Sequence, residues 1–199
     1  YFEKYIIEFD DANFKNSIEA FLSSDIRILN IISEHIIISS IKLYKELKTS
    51  DGPKEFIYVR LSSLNDNVID AFESKLTDLL LVIELDLNKT KSDDWVDKIN
   101  DIIDMIQCTD EKKLIIISNP NDIDKIKIDI EIDQINDDAN TLQNLTEDSQ
   151  KCFLDTEIQF QKSNVKLGDI IISDELKKAI NGEIITRIIE KEAIDVGKE

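Results

Sequence analysis

The sequence has few of the residues that build open loops and reactive sites. Its 199 residues include four glycines, two prolines, two cysteines and one histidine, whereas 42% are hydrophobic. A chain this poor in glycine and proline and this rich in apolar side chains is not a disordered one, because it can bury a substantial core. The length predicts one domain, or one domain with a small appendage.

Cysteine and histidine are too scarce for the usual metal and nucleophile chemistry. Cys108 and Cys152 lie far apart in the sequence, so two unpaired thiols in a reducing compartment are expected, although one disulfide is also compatible. A single histidine disfavours zinc. Any histidine-dependent triad must use His35, which we place before the first core strand, at the end of the sheet away from ligands. We therefore interpret His35 as a structural or surface residue.

Positive charge is also in short supply. The chain has 24 lysines and arginines against 42 aspartates and glutamates, a formal net charge of −18. Such a field repels phosphate backbones and anionic membrane surfaces, so we expect neither nucleic acid nor a membrane as partner. It favours solubility, and it suits either a basic protein partner or simply a solvated acidic surface.

Long apolar runs are absent as well. No stretch approaches the roughly 20 apolar residues that span a bilayer, and no signal peptide is visible. We therefore expect a cytoplasmic location. Tyr1 opens the sequence and Met105 is the only methionine, which suggests an excerpt from a longer protein.

Short apolar runs alternate with helical patterns along most of the chain. Strands are predicted over residues 36–39, 56–61, 79–85 and 114–118, and helices over 11–24, 41–47, a segment capped by Asn65 or Asp66, and a segment that follows Ser92. This order predicts an α/β fold, with a mostly parallel sheet and helices on both faces. In the helix after Ser92, the apolar stripe consists of Trp95, Ile99, Ile102, Ile103 and Ile106, and we interpret Trp95 as a core anchor.

The pattern changes after residue 120. Apolar and charged residues alternate strictly over residues 126–133, which predicts an edge strand with one solvated face. The tail contains shorter patterns, with strands over 156–160 and 165–167, a helix over 173–180 and a further apolar segment over 184–189. We therefore divide the chain into an α/β domain, residues 1–140, and a small C-terminal α+β appendage packed on it, residues 141–199.

A glycine-rich phosphate-binding loop is missing from the place where this order of elements calls for one. Residues 35–40 (His-Ile-Ile-Ile-Ser-Ser) pass directly into the predicted helix at Ile41 without a glycine. The motif G-x-x-x-x-G-K-[ST], whose backbone N–H groups and lysine hold phosphates, occurs nowhere in the chain. Residues 118–120 are interpreted as a simple turn. We therefore expect no cofactor and no catalytic residues.

Two carboxylates follow the most apolar strand. Glu84 and Asp86 stand where such a strand can help to hold Mg²⁺, and we interpret them as solvated strand-end residues, with a weak relic metal site as the alternative. A cryptic enzyme site built from Glu84, Asp86 and Asp66 stays open. A nuclease with a Glu-x-Lys strand is disfavoured, because Asp86 occupies the lysine position and Lys89 comes too late.

The same stretches resemble a known family. Residues 35–48 resemble a Walker A strand and helix without the loop, and residues 56–66 are similar to a second strand that commonly ends in an "RINLNDHT"-like stretch. Residues 79–86 resemble a Walker B strand, and 113–120 a sensor strand in which Asn119 replaces the usual arginine. Residues 145–154 and 158–167 resemble an element that follows the core. The family is the NACHT/STAND-type P-loop NTPase region of arthropod and endosymbiont proteins, often beside ankyrin repeats.

The resemblance implies an NTPase-derived fold without NTPase activity, because the phosphate-binding residues have no counterparts. It implies a non-catalytic protein-interaction or scaffolding module in a larger protein, such as an endosymbiont effector in the host cytoplasm, with an unidentified protein partner. Two alternatives stay open. One is a metal-dependent nucleotide-processing or nuclease-like enzyme with a cryptic carboxylate site, and the other is a structural spacer.

Overall fold

The computed structural model describes residues 12–49, 55–73, 79–85, 87, 94–109, 112–120, 122, 132–137 and 170–172. These residues form four α-helices and six strands. In chain order the elements are α1 (Ala12–Ser23), β1 (Ile28–Ile32), α2 (Ile36–Thr49), β2 (Phe56–Arg60), α3 (Asp66–Glu73), β3 (Leu80–Glu84), α4 (Trp95–Gln107), β4 (Lys113–Ser118), β5 (Ile132–Asn136) and β6 (Ile170–Ile172). A short 3-10 turn, Leu61–Ser63, joins β2 to the segment before α3.

The strands form one sheet in the order β5-β1-β4-β3-β2-β6. Strands β1 to β5 are parallel to their neighbours, and only β6 runs antiparallel, beside β2. Strand β1 therefore lies between β4 and β5, and β4 and β3 separate it from β2, which follows it in the chain. The predicted α/β fold with a mostly parallel sheet is confirmed.

Helices cover both faces of this sheet. On one face, α1 and α2 pack through Phe21 and Ile41 against apolar residues of the strands. On the other face, α3 and α4 pack through Phe72 and Trp95. All residues of β1, β2 and β3 are buried, as expected for parallel strands that are covered on both sides. Trp95 is a core residue, as predicted.

The prediction for the first strand is wrong. Residues 36–39 belong to α2, and the first strand is β1, eight residues earlier. The β-branched run after His35 favours a strand locally, but Ile41, Tyr44 and Leu47 have helical spacing and are buried against the sheet. The tertiary contacts of that helical face decide in favour of α2.

The other helix predictions are confirmed with small shifts. Helix α1, predicted over residues 11–24, buries Phe14, Ile18 and Phe21 on one face. The side chain of Asn65 caps α3, since its Oδ1 accepts a hydrogen bond from the Val68 N–H at 3.1 Å. In α4, all five residues of the predicted apolar stripe are buried. Ser92 lies outside the described residues.

The edge strand and the tail are described only in part. Strand β5 overlaps the predicted strand at residues 132–133 and is the outermost described strand on its side of the sheet. Residues 126–131 lie outside the described residues, as do the strands predicted over 156–160 and 165–167 and the tail segments 173–180 and 184–189. From 141–199 only β6 is described, so the division at residue 140 stays a prediction.

Three cations bind the carboxyl ends of three helices at the amino end of the sheet. Their donors reach main-chain carbonyls, which carry the negative end of each helix dipole. The contacts are Arg27 to Ile106 and Thr109 at the end of α4 (2.6 and 2.7 Å), Lys112 to Phe72 at the end of α3 (2.5 Å), and Lys113 to Phe21 and Ser24 at the end of α1 (2.7 and 2.6 Å). Desolvation lowers the pKa of Lys113 from its ordinary value. These three basic side chains thus stabilise the fold.

Within the parts of the chain that the structure describes, every helix is too short or too polar to cross a bilayer.

Candidate functional site

The candidate site lies at the carboxyl ends of the parallel strands. In open α/β sheets ligands bind at this edge, next to the turn that leads from a strand into its helix. Here the turn after β1 consists of residues 33–35, and it leads into α2. The ends of β3, β4 and β5 lie around it in the sheet order.

The turn between β1 and α2 is tight and is held by hydrogen bonds within the protein. The Ser33 N–H donates to the Ser118 carbonyl at 2.9 Å, and the Ser33 hydroxyl accepts from the His35 N–H at 3.0 Å. The Ser39 N–H donates to the His35 carbonyl at 3.1 Å, so helical hydrogen bonding already starts at His35. His35 therefore lies at the ligand-binding end of the sheet, and its predicted position at the opposite end is wrong.

This turn has no room for a phosphate-binding loop. Counted from the first residue after β1, the pattern G-x-x-x-x-G-K-[ST] falls on residues 33–40. Ser33 and Ile38 take the glycine positions, Ser39 the lysine position and Ser40 the Ser/Thr position. Helix α2 begins at Ile36, so helical backbone replaces most of the loop. The loop is missing, as the sequence indicates, but at a different turn from the one we predicted.

Glu84 is the centre of a first polar cluster, which we call the Glu84 cluster. Its Oε2 accepts hydrogen bonds from the hydroxyls of Ser40 and Tyr58, at 3.0 and 2.5 Å. Its Oε1 lies 3.4 Å from Nε of Arg60, the residue opposite it on β2. Only 3% of Glu84 and 7% of Arg60 is exposed. Both carboxylate oxygens are therefore engaged by side chains of the protein itself.

Asp137 is the centre of a second buried cluster, the Asp137 cluster. This residue follows β5, and its main-chain N–H donates to the Ile32 carbonyl at 2.9 Å. Its carboxylate accepts from the Ser39 hydroxyl at 2.5 Å and from Nζ of Lys42 at 2.6 Å. The Lys42 ammonium also lies 4.3 Å from the centre of the Phe14 ring. The cluster ties the edge strand β5 to α2 and α1.

The structure separates the carboxylates that the sequence groups together. Glu84 is buried under α2, so our interpretation of it as a solvated residue is wrong. Asp66 is exposed at the start of α3, which packs on the other face of the sheet. Asp86 lies outside the described residues. Within the described residues, no three His, Cys, Asp or Glu side chains are grouped so that they could hold a metal ion.

Sequence reasoning missed most of this edge. The missed residues are Ser39, Ser40, Lys42, Tyr58, Arg60 and Asp137. One signal was present: Arg60 and Glu84 are charged residues that end two apolar strands, and neighbouring parallel strands end at the same edge. Asp137 carried no comparable signal, because its partner Lys42 is 95 residues away in the sequence.

Three comparisons set this arrangement beside known proteins. No protein-family model and no curated protein matches the chain. Among solved structures, the Walker-type ATPase PABY2304 of Pyrococcus abyssi has a TM-score of 0.44 and 11% identity, over 93% of this chain and 71% of its own. The RuvB Holliday junction branch migration motor of Thermotoga maritima has a TM-score of 0.43 and 10% identity, over 92% and 70%. Values this low do not assign the chain to either family.

The residues that the structure describes at this edge do not fit a magnesium nucleotide, which a P-loop NTPase binds. Such a site needs backbone N–H groups in a loop, a lysine near the phosphates and a carboxylate with free oxygens for the metal. Here the loop is helical, Ser39 stands at the lysine position, and the Glu84 carboxylate is bound by Ser40, Tyr58 and Arg60. The nearby Lys42 forms a buried ion pair with Asp137.

The Glu84 cluster makes the fold sensitive to alkaline pH through Tyr58. Burial raises the pKa of the Tyr58 hydroxyl well above its ordinary value of 10.0, and the neighbouring Glu84 charge and hydrogen bond raise it further. Above that ordinary value the unfolded chain loses this proton while the folded protein keeps it. The stability from neutral Tyr58 is therefore complete below pH 10 and is lost progressively as the pH rises toward the folded-state pKa.

We expect the melting temperature to fall as the pH rises from about 10 to about 11, and to fall less in the Tyr58→Phe variant, since phenylalanine has no proton to lose. The measurement is thermal unfolding by circular dichroism across this range. If the melting temperature fell equally steeply with pH in wild type and in Tyr58→Phe, the assignment of this pH dependence to Tyr58 would be contradicted.

Proposed function

We propose that this chain carries a non-catalytic protein-interaction or scaffolding module derived from a STAND-type NTPase, within a larger cytoplasmic protein. One observation carries the proposal. The hydroxyl of Ser40 and the carboxylate of Glu84, whose positions would hold Mg²⁺ between them in a P-loop NTPase, hydrogen-bond directly to each other at 3.0 Å.

The descent from an NTPase is supported by where these two residues lie. Ser40 is in the first turns of the helix that follows β1, at the Ser/Thr position of the eight-residue pattern. Glu84 is the last residue of β3, an apolar strand with the form of a Walker B strand. Their contact reproduces the spatial relation of the two metal-binding groups in that class of enzyme.

The loss of catalysis is supported by the charge balance of the same edge. A bound triphosphate needs an excess of positive charge and main-chain donors around it. The Arg60 and Lys42 side chains each contact a buried carboxylate, and Glu34 is exposed within the turn. Among the described residues of this edge, these two cations are therefore already paired with carboxylates, and the net charge of −18 adds no attraction for a phosphate.

A protein-binding role is supported by the solvent face of α4. Asp97, Asp101 and Asp104 are exposed on this helix. Their spacing of four and three residues places them along one side, so the helix presents a row of negative charge. Such a row suits a basic partner and would speed its encounter with the domain.

The nucleotide half of the proposal is tested by calorimetric titration and thermal melting of the full chain with ATP, ADP or GTP in the presence of Mg²⁺. We expect neither heat of binding nor a rise in melting temperature. A ligand present at a thousand times its dissociation constant would add about 4 kcal/mol of stability, so a micromolar site could not be overlooked. Such a rise would favour the rival, a metal-dependent nucleotide enzyme.

The binding half is tested by affinity capture from host-cell lysate with two charge-reversed variants. One carries lysines at 97, 101 and 104 on α4, and the matched control carries them at the exposed positions 66, 70 and 73 on α3. We expect the same proteins to be captured by wild type and control and to be lost with the α4 variant. A domain that retains nothing specific is a spacer, and equal loss with both variants would contradict a role for α4.

A further inference from the structure

The Glu84 cluster contains a cation that belongs to the protein. Arg60 and Glu84 lie opposite each other at the ends of β2 and β3, and their side chains are 8% and 4% exposed. On the far side of the carboxylate, the Ser40 and Tyr58 hydroxyls donate to the other oxygen. The buried negative charge is thus matched by one positive charge and two neutral donors.

A guanidinium group and a metal ion neutralise a buried carboxylate in different ways. Mg²⁺ takes near-octahedral oxygen ligands, keeps several waters, and exchanges with the solution. The arginine side chain carries one permanent charge and only donors, and it is tethered to the strand. A carboxylate that faces arginine is therefore neutralised at any metal or nucleotide concentration.

We propose that Arg60 is a built-in replacement for the metal ion at this edge, so that the carboxyl end of the sheet is held together without Mg²⁺ or nucleotide. The inference rests on the proposed function in one respect, since it takes the site to have no nucleotide. It adds that any partner meets a single, permanently assembled form of the domain. Partner binding is then independent of Mg²⁺, ATP and ADP.

The experiment replaces the tethered cation by a free one. In the full chain, Arg60→Ala removes the guanidinium and leaves space beside Glu84. We expect its melting temperature in EDTA to lie about 8 °C below that of wild type, because a buried carboxylate is left without its counter-charge. Millimolar Mg²⁺ or ethylguanidinium should restore more than half of that loss. Neither ion should shift the wild type.

Three further variants show whether Arg60 stabilises the domain through its charge or only through packing. Arg60→Lys keeps a cation, and it should melt close to wild type and ignore both ions. Arg60→Gln removes the charge with a smaller change of volume and should respond as Arg60→Ala does. In the double variant Arg60→Ala/Glu84→Gln the carboxylate charge is gone, so neither ion should restore stability.

Absence of rescue in both Arg60→Ala and Arg60→Gln, including a failure of both to fold in every buffer, would overturn the proposal. So would a stabilisation of the wild type by Mg²⁺ alone. These outcomes are read without nucleotide, so they are separate from a failure of the proposed function, which would appear as binding of Mg²⁺-ATP by the wild type.

Discussion

The Lys42→Met variant should lose about 3–5 kcal/mol of unfolding free energy, because it leaves the Asp137 carboxylate buried without its cation. Lys42 and Asp137 have side-chain exposures of only 2% and 4%, and their ion-pair atoms are 2.6 Å apart. At that depth water cannot screen or solvate the remaining charge. Urea unfolding followed by circular dichroism measures the loss directly.

The double variant Lys42→Met/Asp137→Asn separates the pair from its individual residues. With both charges removed, and with the Asn oxygen still able to accept from Ser39, most of the loss should be recovered. The matched control is Lys45→Met, on the same helix but only half-buried, which should change stability by about 0.5 kcal/mol or less. A loss below about 1 kcal/mol in Lys42→Met would contradict the prediction, because it would mean that other groups stabilise the buried Asp137 charge.

The Phe21→Ala variant should lose about 3–5 kcal/mol, because it opens a cavity between α1 and the sheet. Phe21 is fully buried in the core on the α1/α2 face, and its ring lies 4.8 Å from the Lys113 ammonium. The same Lys113 binds the carboxyl end of α1, so the mutation also weakens the contact that positions the helix.

Leu22→Ala on the next position of α1 is the control for Phe21→Ala. Leu22 is only partly buried against the same core, and its truncation should cost about 1 kcal/mol. Chemical unfolding of both variants, with the slope against denaturant compared to that of wild type, tests the difference. Equal losses would mean that α1 contributes to the core evenly along its length instead of through Phe21.

The sequence was most informative where one element alone determines the pattern. Helices α1 and α3 and the five-residue stripe of α4 were predicted because helical periodicity is a local property. The apolar runs of β2, β3 and β4 were found for the same reason. Where two structures compete for one run, as in residues 36–39, the local pattern misled, because the choice depended on which face packs against the sheet.

The candidate site was less accessible to sequence reasoning than the fold. Glu84 was singled out, but its burial was not foreseen, because its partners come from α2 and from β2. The pairing of Lys42 with Asp137 joins α2 to the end of β5, and it follows only from the position of β5 beside β1. Residues that are distant in sequence meet at this edge because parallel strands bring their carboxyl ends together.

By itself, the amino-acid sequence determined the class of fold, the strong negative charge and the lack of a glycine-rich phosphate loop. Composition, periodicity and motifs depend only on which residues occur and on their order along the chain. Only the tertiary structure decided where that missing loop would have been, and that Ser40, Tyr58 and Arg60 enclose Glu84. The physical reason is that strand order and helix packing determine which polar groups share a buried space, and a buried charge is stable only beside the partners that this packing supplies.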